Sequence, residues 1–495
     1  MRVSRPSMTL AFTLRYQFTG FRGSQMRLLQ SSACVRNMEN QPEIGWLRRL
    51  LEDNIKPQKL YAWTPKHLLG HQIEPLSGTC VHATTEFSRG NDEDEHRRIY
   101  ILGVGNIGRL YAMCLSKIPN GPPITLVVQR RKLLENWAAN PGIELQRQGQ
   151  VHRSTDFDIE WWSEEAPPGN PAAAEVAGGR SIGNLIVATK AADAMPTVDR
   201  VRRYLGGAST VAFTQNGMCR LWPPHGAAYV RARFPDGDGD GDGAGAGRPG
   251  WVACVTTHGV KSVGQFQSIH ASPADALVGP VMPGDGGEER MGYLMRQIAD
   301  APDLDARQVS REGLWVAQLE KLVVNAIINP LTAVLRCKNG EIFVARDDAL
   351  PAVIDKLLSE ASDTLGALIL DPRNDEVLLS EAVSQGAVSE GLEVVESLKA
   401  SREQLLERFS FPQLRKMVLD VGAKVGENTS SMLQDVRGGK RTEIHDLNGW
   451  LVDTAKLLDK GLRLPTHEKL ISLVRSNVKL KRDELCANIL GEDHC

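Results

Sequence analysis

The stretch that most limits how this chain can fold is residues 97–115, RRIYILGVGNIGRLYAMCL. The apolar run IYIL predicts a buried strand, and apolar residues at helical spacing follow it. PITLVVQRR predicts a second strand within about 30 residues, which completes a βαβ unit. Gly103, Gly105 and Gly108 fall at the turn between strand and helix. Glycines alone also serve plain turns, so it is this context that favours a phosphate-binding loop.

Each glycine of this loop has its own expected role. Gly103 permits a tight turn, Gly105 leaves room for a phosphate against the backbone, and Gly108 lets the helix approach the strand. The helix begins at Asn106 and Ile107, where free N–H groups and the helix dipole favour an anion. These residues are therefore predicted to bind the pyrophosphate of a dinucleotide.

The end of the second predicted strand indicates which dinucleotide. An NAD site needs an acidic residue there for the ribose hydroxyls, but this chain has VVQRRK, with Arg130, Arg131 and Lys132. Such a cluster attracts a 2′-phosphate, so the sequence predicts NADPH as the cofactor. The alternative, an exposed basic strand end without a ligand, stays open.

The remaining sequence divides into three regions. Residues 97–307 are predicted to form an α/β Rossmann-type domain, with a low-complexity insertion near residues 235–249 (FPDGDGDGDGAGAGRPG). From about residue 308 helical periodicity dominates, so residues 308–495 are predicted to form an all-α domain. Residues 1–96 are expected to be an N-terminal extension that ends in a polar linker.

The first part of that extension has a targeting-like composition. No acidic residue precedes Glu39, whereas six arginines are interleaved with Ser, Thr, Leu and Phe. This bias is typical of a mitochondrial transit peptide. The alternatives, a disordered tail or a misplaced start codon on a cytoplasmic protein, remain open.

Composition excludes several classes of function. The net charge of −2 leaves no general excess of positive charge for nucleic acid, which is therefore an unlikely partner. No apolar run reaches the roughly 18 residues of a membrane-spanning helix, so membrane insertion is not expected. The eight cysteines show no zinc-like spacing, so no metal is expected.

A polar stripe marks the predicted helix LEKLVVNAIINPLTAVL. Lys321, Asn325 and Asn329 recur every fourth residue and so share one side of an otherwise apolar helix. Because a buried unpaired amide costs about 1–3 kcal/mol, the stripe should line a polar cleft. Lys321 is a candidate general acid for reducing a carbonyl; the plain alternative is a lysine that extends from the helix edge to water. Pro330 predicts a kink or break at Asn329.

A carboxylate follows in RTEIHDLNG. Glu443 is expected near the start of the next helix. It could orient the lysine or hold a substrate hydroxyl, or it could only complement the helix dipole.

These motifs together resemble the ketopantoate reductase family (2-dehydropantoate 2-reductase, ApbA/PanE type). The resemblance rests on LGVGNIG, ATKA, TQNGM, TTHG, EKLVVNAIINPLTAVLRCKNGEI and NTSSMLQDVRGGKRTEIHDLNGWL, in the family's order over residues 98 to about 490. It implies NADPH-dependent reduction of ketopantoate to pantoate, on the route to pantothenate and coenzyme A. The residue roles it implies are catalysis by Lys321 and Glu443, cofactor binding by Arg130, Lys190 and Asn216, and substrate binding by Asn325, Asn329 and Ser431.

Two hypotheses follow. The first is an active NADPH-dependent reductase of a small 2-keto acid, with a second copy of the chain as an optional partner in a homodimer. The second is a non-enzymatic mitochondrial translational activator built on the reductase scaffold. The extension, the insertion and additional sequence around residues 374–412 depart from compact family members.

Overall fold

The structure is a computed structural model that describes residues 45–53, 56–68, 96–169, 174–235, 246–384, 392–458 and 461–491. The transit peptide predicted before Glu39 lies outside the described residues, as does most of the predicted insertion, residues 236–245. All described residues belong to one compact unit, Gly45–Cys495.

The first part of the described chain contains all of its strands. They are β1 Tyr61–Trp63, β2 Ile99–Leu102, β3 Ile124–Val128, β4 Ile143–Arg147, β5 Gln150–Ser154, β6 Asp158–Ser163, β7 Asn184–Val187, β8 Thr210–Phe213, β9 Gly250–Thr256, β10 Gly259–Gly264, β11 Gln267–Ser272, β12 Ala276–Met282 and β13 Ala306–Gln308. The helices among them are α1 Gly45–Glu52, α2 Pro65–Leu68, α3 Asn106–Leu115, α4 Arg131–Ala139, α5 Ala191–Val201, α6 His225–Arg233 and α7 Gly287–Asp300.

The second part is helical. Its helices are α8 Arg311–Leu335, α9 Leu350–Ile369, α10 Asp375–Leu378, α11 Ser380–Ser384, α12 Leu392–Arg408, α13 Phe411–Lys424, α14 Ser431–Arg437, α15 Asn448–Leu458, α16 Pro465–Arg475 and α17 Arg482–Leu490. An α/β Rossmann-type part followed by an all-α part is the fold class that the sequence predicts, and the structure confirms it.

The main sheet determines where a ligand can bind. Its order is β1-β6-β3-β2-β7-β8-β9-β12-β13, and the six strands from β6 to β9 are parallel. The chain extends from β2 toward β6 on one side and from β7 toward β9 on the other. Ligands of such sheets bind at the carboxyl ends of the strands where this order reverses, which here is between β2 and β7. The second sheet, β10-β11-β4-β5, contacts α3.

The extension before residue 97 also contributes structure. β1 pairs antiparallel with β6, with Tyr61 opposite Ser163 and Trp63 opposite Trp161. The ordered structure therefore begins before Arg97, where the sequence predicts only a linker. A three-residue strand carries too little periodicity to be recognised from sequence.

Helix α8 is the long axis of the helical part. Ser310 caps it by accepting a hydrogen bond from the Gly313 N–H at 3.1 Å, and Arg336 ends it in the left-handed conformation. The predicted break at Asn329 is wrong, because α8 continues through Pro330 to Leu335.

A side chain from another helix explains this continuity. Pro330 has no N–H, so the carbonyl of Ala326, four residues earlier, loses its helical donor. The amide Nδ2 of Asn448 donates to that carbonyl at 2.8 Å and also to Nδ1 of His467 at 2.9 Å. Nε2 of His467 then donates to the Leu357 carbonyl at 3.0 Å. The start of α15 thus repairs the gap that proline leaves in α8.

Candidate active site

The glycine loop lies at the predicted crevice, and its three glycines have three different surroundings. Gly103 has φ +102°, and an added Cβ would lie 2.8 Å from the Ala188 carbonyl carbon at the end of β7. A Cβ at Gly108 would lie 2.0 Å from the Gly103 oxygen. At Gly105 a Cβ would meet no described atom within 4 Å. Two glycines are therefore required by packing, while Gly105 borders open space, as a phosphate-binding position needs.

The N-terminus of α3 has backbone N–H groups that make no bond within the helix. The first intrahelical bond runs from the Arg109 N–H to the Gly105 carbonyl at 2.9 Å, so the N–H groups of Asn106, Ile107 and Gly108 precede the helical ladder. The Asn106 side chain is already engaged, because it donates to the Val260 carbonyl at 3.3 Å and accepts from Ser268 Oγ at 3.1 Å. Asn106 is therefore expected to contact a cofactor through its backbone N–H.

Arg109 is a residue that the sequence reasoning missed. Its buried guanidinium donates to the carbonyls of Gly264 (3.1 Å), Gln267 (2.9 Å) and Gly105 (3.2 Å). These contacts fasten the β10–β11 hairpin to the glycine loop. Burial lowers the pKa of Arg109 to about 10. The available signal was an arginine within an otherwise apolar helix segment.

The three cations of the basic cluster after β3 differ in their ion-pair partners. Arg131 and Lys132 both contact Glu135, at 3.3 and 3.4 Å. Arg130 is exposed, and the described chain gives it no ion-pair partner. It immediately precedes α4, at the strand end where the adenosine ribose lies in dinucleotide-binding folds. Arg130 is thus free to bind a phosphate.

Lys321 extends from α8 to the α/β part of the molecule. Its Nζ donates to the Thr256 carbonyl at the end of β9, at 2.5 Å. Burial lowers its pKa to about 8, although the carboxylates of Glu443 and Asp275 act in the opposite direction. An ammonium with a lowered pKa gives up its proton more readily near neutral pH, which suits a general acid.

Glu443 connects the lysine to the other predicted residues. Its Oε2 accepts from Asn216 Nδ2 at 3.1 Å. Glu443 lies in the turn that precedes α15. It is not part of that helix, which begins at Asn448. A role confined to the first turn of that helix is therefore not what the structure shows.

Lys190 completes a chain of charges between the two parts of the molecule. It stands at the N-cap position of α5, shortly after the end of β7, and its Nζ lies 2.8 Å from Asp435 Oδ2 on α14. Burial alone would lower its pKa, but the carboxylates of Glu443 and Asp435 raise it. The structure thus brings Lys190, Asn216, Glu443 and Lys321 together where the strand ends of the α/β part meet the helical part.

The predicted substrate residues occupy two helices. Asn325 and Asn329 follow Lys321 on α8, half-buried and buried respectively, and no hydrogen bond to either side-chain amide is found among the described residues. Ser431 is the exposed first residue of α14, which packs against α8. All three hydroxyl or amide groups are available to a small polar ligand.

Two other kinds of site are absent from the described part of the chain. None of its helices combines the length and apolar character needed to cross a membrane. No group of three or more His, Cys, Asp or Glu side chains within it could hold a metal ion.

Comparison with known proteins identifies relatives of this chain. The profile described as "Ketopantoate reductase PanE/ApbA" matches residues 99–283, and its C-terminal counterpart matches residues 314–478. "Ketoisovalerate reductase BEA2" of Gibberella fujikuroi is 42% identical over 90% of this chain and 99% of its own. "Ketoisovalerate reductase" of Beauveria bassiana is 39% identical over 90% of this chain and 98% of its own. A probable 2-dehydropantoate 2-reductase of Schizosaccharomyces pombe is 27% identical over 78% of this chain and 97% of its own.

Solved structures share the fold. A 2-dehydropantoate 2-reductase from Geobacter metallireducens superposes with a TM-score of 0.50 at 18% identity, over 77% of this chain and 99% of its own. D-mandelate dehydrogenase, solved with NADH and anilino(oxo)acetate, superposes with a TM-score of 0.50 at 14% identity, over 77% of this chain and 98% of its own. At these identities the likeness concerns the fold alone.

Proposed function

This chain belongs to the ketopantoate reductase family of oxidoreductases, and from that premise we propose that it reduces a branched 2-keto acid with NADPH, ketoisovalerate being the preferred substrate. The observation that carries the proposed chemistry is Lys321, whose pKa is lowered by burial of its ammonium and which lies in one cluster with Glu443. The choice of ketoisovalerate rests on relatives of that name at 42% and 39% identity over 90% of the chain.

Lys321 supplies the proton in this proposal. The nicotinamide, when bound, supplies hydride to the carbonyl carbon of the keto acid. Lys321 donates a proton to the carbonyl oxygen, and its ammonium stabilises the negative charge that develops there. The Thr256 carbonyl holds the amine in place before the substrate arrives.

Glu443 acts on both lysines of the site. Its carboxylate raises the pKa of Lys321 and of Lys190 and so offsets the lowering that burial causes. Both ammonium groups therefore stay protonated near neutral pH. It also accepts from Asn216, which fixes the carboxylate. Asn325, Asn329 and Ser431 are the proposed donors to the substrate carboxylate.

Residues of the glycine loop fit the proposed cofactor. Gly105 borders open space, the first N–H groups of α3 are available, and Arg130 has no ion-pair partner among the described residues. We therefore assign the pyrophosphate to the loop and the 2′-phosphate to Arg130.

Ketopantoate is the second candidate substrate, favoured by the family's description and by the S. pombe relative. It differs from ketoisovalerate by a hydroxymethyl group, which needs a polar partner. A site built to bond that hydroxyl rejects the analogue without it strongly, whereas an apolar site discriminates weakly. The translational-activator hypothesis is not favoured, because the relatives that align with 90% of this chain are reductases.

A spectrophotometric assay tests the proposal. The full chain is mixed with NADPH or NADH and with ketoisovalerate or ketopantoate, and oxidation of the nucleotide is followed. We expect the highest kcat/KM for ketoisovalerate with NADPH. Lys321→Ala should lower kcat by about 10²–10⁴, while the exposed Lys399→Ala on α12 should leave it unchanged. No turnover of either acid by folded, NADPH-bound protein contradicts the proposal.

We propose import into mitochondria through the arginine-rich leader. A fluorescent fusion to the full chain should co-localise with mitochondria, and removing residues 1–38 should abolish this. A diffuse cytoplasmic signal from the full-length fusion contradicts it.

A further inference from the structure

The segment Tyr61–Leu68, comprising β1, Thr64 and α2, lies outside the region that the family profiles match, which begins at residue 99. It is nonetheless built into the molecule next to the proposed nucleotide site. β1 adds a strand beyond β6, and α2 contacts α4. The role assigned to this segment below rests on the proposed use of NADPH.

Strand register places Trp63 at the ligand-binding edge of the sheet. Val128, the last residue of β3, pairs with Trp161 of β6, and Trp161 pairs with Trp63 of β1. The three residues therefore form one row across three strands. Arg130 and Arg131 closely follow Val128 in the chain, so the row ends beside the basic cluster.

Trp63 is held rigidly in this position. Its side chain is 7% exposed, its indole Nε1 donates to the Glu165 carbonyl at 2.7 Å, and its ring lies 5.7 Å from that of Trp161. The guanidinium of Arg131 lies over the Trp63 ring, 5.2 Å from its centroid. Such a cation–π contact stabilises an arginine in one orientation.

The orientation leaves Arg131 able to bind an anion. Its Nε contacts Glu135 at 3.3 Å, and the described residues provide no other ion-pair partner. A guanidinium whose face is stacked still directs its N–H groups outward in its own plane, where they match the oxygens of a phosphate. Arg130, its neighbour, is the other cation available at this strand end.

We propose that Arg131 binds the 2′-phosphate of NADPH together with Arg130, and that Trp63 is the positioning residue that holds Arg131 for this task. The N-terminal extension thereby completes the nucleotide-specific end of the cofactor site. Trp63 itself makes no contact with the phosphate; it fixes the guanidinium that does.

Calorimetric titration of the full-length chain with NADPH and NADH tests this assignment. Trp63→Ala should weaken NADPH binding by about fivefold and Arg131→Ala by about tenfold, both without changing NADH affinity. Adding Trp63→Ala to Arg131→Ala should produce no further loss, because Trp63 acts through Arg131. Trp63→Phe keeps an aromatic ring and should bind NADPH more tightly than Trp63→Ala. It also replaces Trp63→Ala in the test if that variant does not fold.

The chain offers a matched control in Trp46, which also belongs to the extension. Arg220 lies 5.0 Å from the Trp46 ring, so Trp46→Ala removes the same kind of contact elsewhere. It should leave the ratio of NADPH to NADH affinity unchanged. Equal weakening of both nucleotides by Trp63→Ala, or unchanged NADPH affinity in Arg131→Ala, overturns the inference. A wild-type chain that binds both nucleotides equally overturns the proposed NADPH preference itself.

Discussion

The pH dependence of reduction follows directly from the environment of Lys321. With a pKa of about 8, this lysine is about 90% protonated at pH 7 and about 10% protonated at pH 9. An ordinary lysine would still be almost fully protonated at pH 9. Because the proposed proton donor must carry its proton, kcat/KM for the keto acid should fall about tenfold per pH unit above pH 8.

The assay is kcat/KM for ketoisovalerate at saturating NADPH between pH 6 and 10. Glu443→Gln removes a carboxylate that opposes the lowering of the Lys321 pKa, so the break should move to lower pH. Lys321→Arg, which stays protonated throughout, should be slower but lack the descending limb. A wild-type profile that is flat to pH 10, or a Glu443→Gln break that moves upward, refutes this reasoning.

Stability provides an independent check on the same shift. The unfolded chain binds the Lys321 proton up to the ordinary lysine value of 10.5, whereas the folded chain releases it from about 8. Stability from this group is therefore lowest below pH 8 and increases as the pH rises to 10.5. Relative to Lys321→Met, the wild type should gain up to about 3 kcal/mol of unfolding free energy across that window. Denaturant titrations of the pair at several pH values measure this difference.

Three further predictions follow from local geometry. Asn448→Ala should lower the unfolding free energy by about 1–3 kcal/mol, since it leaves the Ala326 carbonyl without a donor. Pro330→Ala should restore part of the unfolding free energy lost in that variant, because alanine supplies the missing N–H. Denaturant titrations of the single and double variants test this, and strictly additive losses contradict it. Gly105→Ala should keep the wild-type Tm, since φ is −76° and no described atom is close, yet lose NADPH binding in calorimetry; retained binding argues against a phosphate at this position. Gly108→Ala should lower Tm, because its Cβ would lie 2.0 Å from the Gly103 oxygen, and an unchanged Tm contradicts so close an approach of helix and loop.

Much of the architecture was predictable because it depends on local pattern. The βαβ unit and the order of an α/β part followed by an all-α part follow from apolar periodicity and turn residues, which act over a few positions. The contribution of β1 and the continuity of α8 through Pro330 were not predictable. Both depend on partners far away in sequence, at β6 and at Asn448.

The sequence by itself determined which chemical groups are available: three glycines at a strand-to-helix turn, a basic strand end, and a lysine on a polar helical stripe. Only the tertiary structure decided which partner each of those groups contacts and which groups stay available to a ligand. It engages the Asn106 side chain with a hairpin, places Arg131 on Trp63, and buries Lys321 against Thr256. The physical reason is that a side chain's pKa and availability depend on desolvation and on neighbours brought together by folding, which no local pattern encodes.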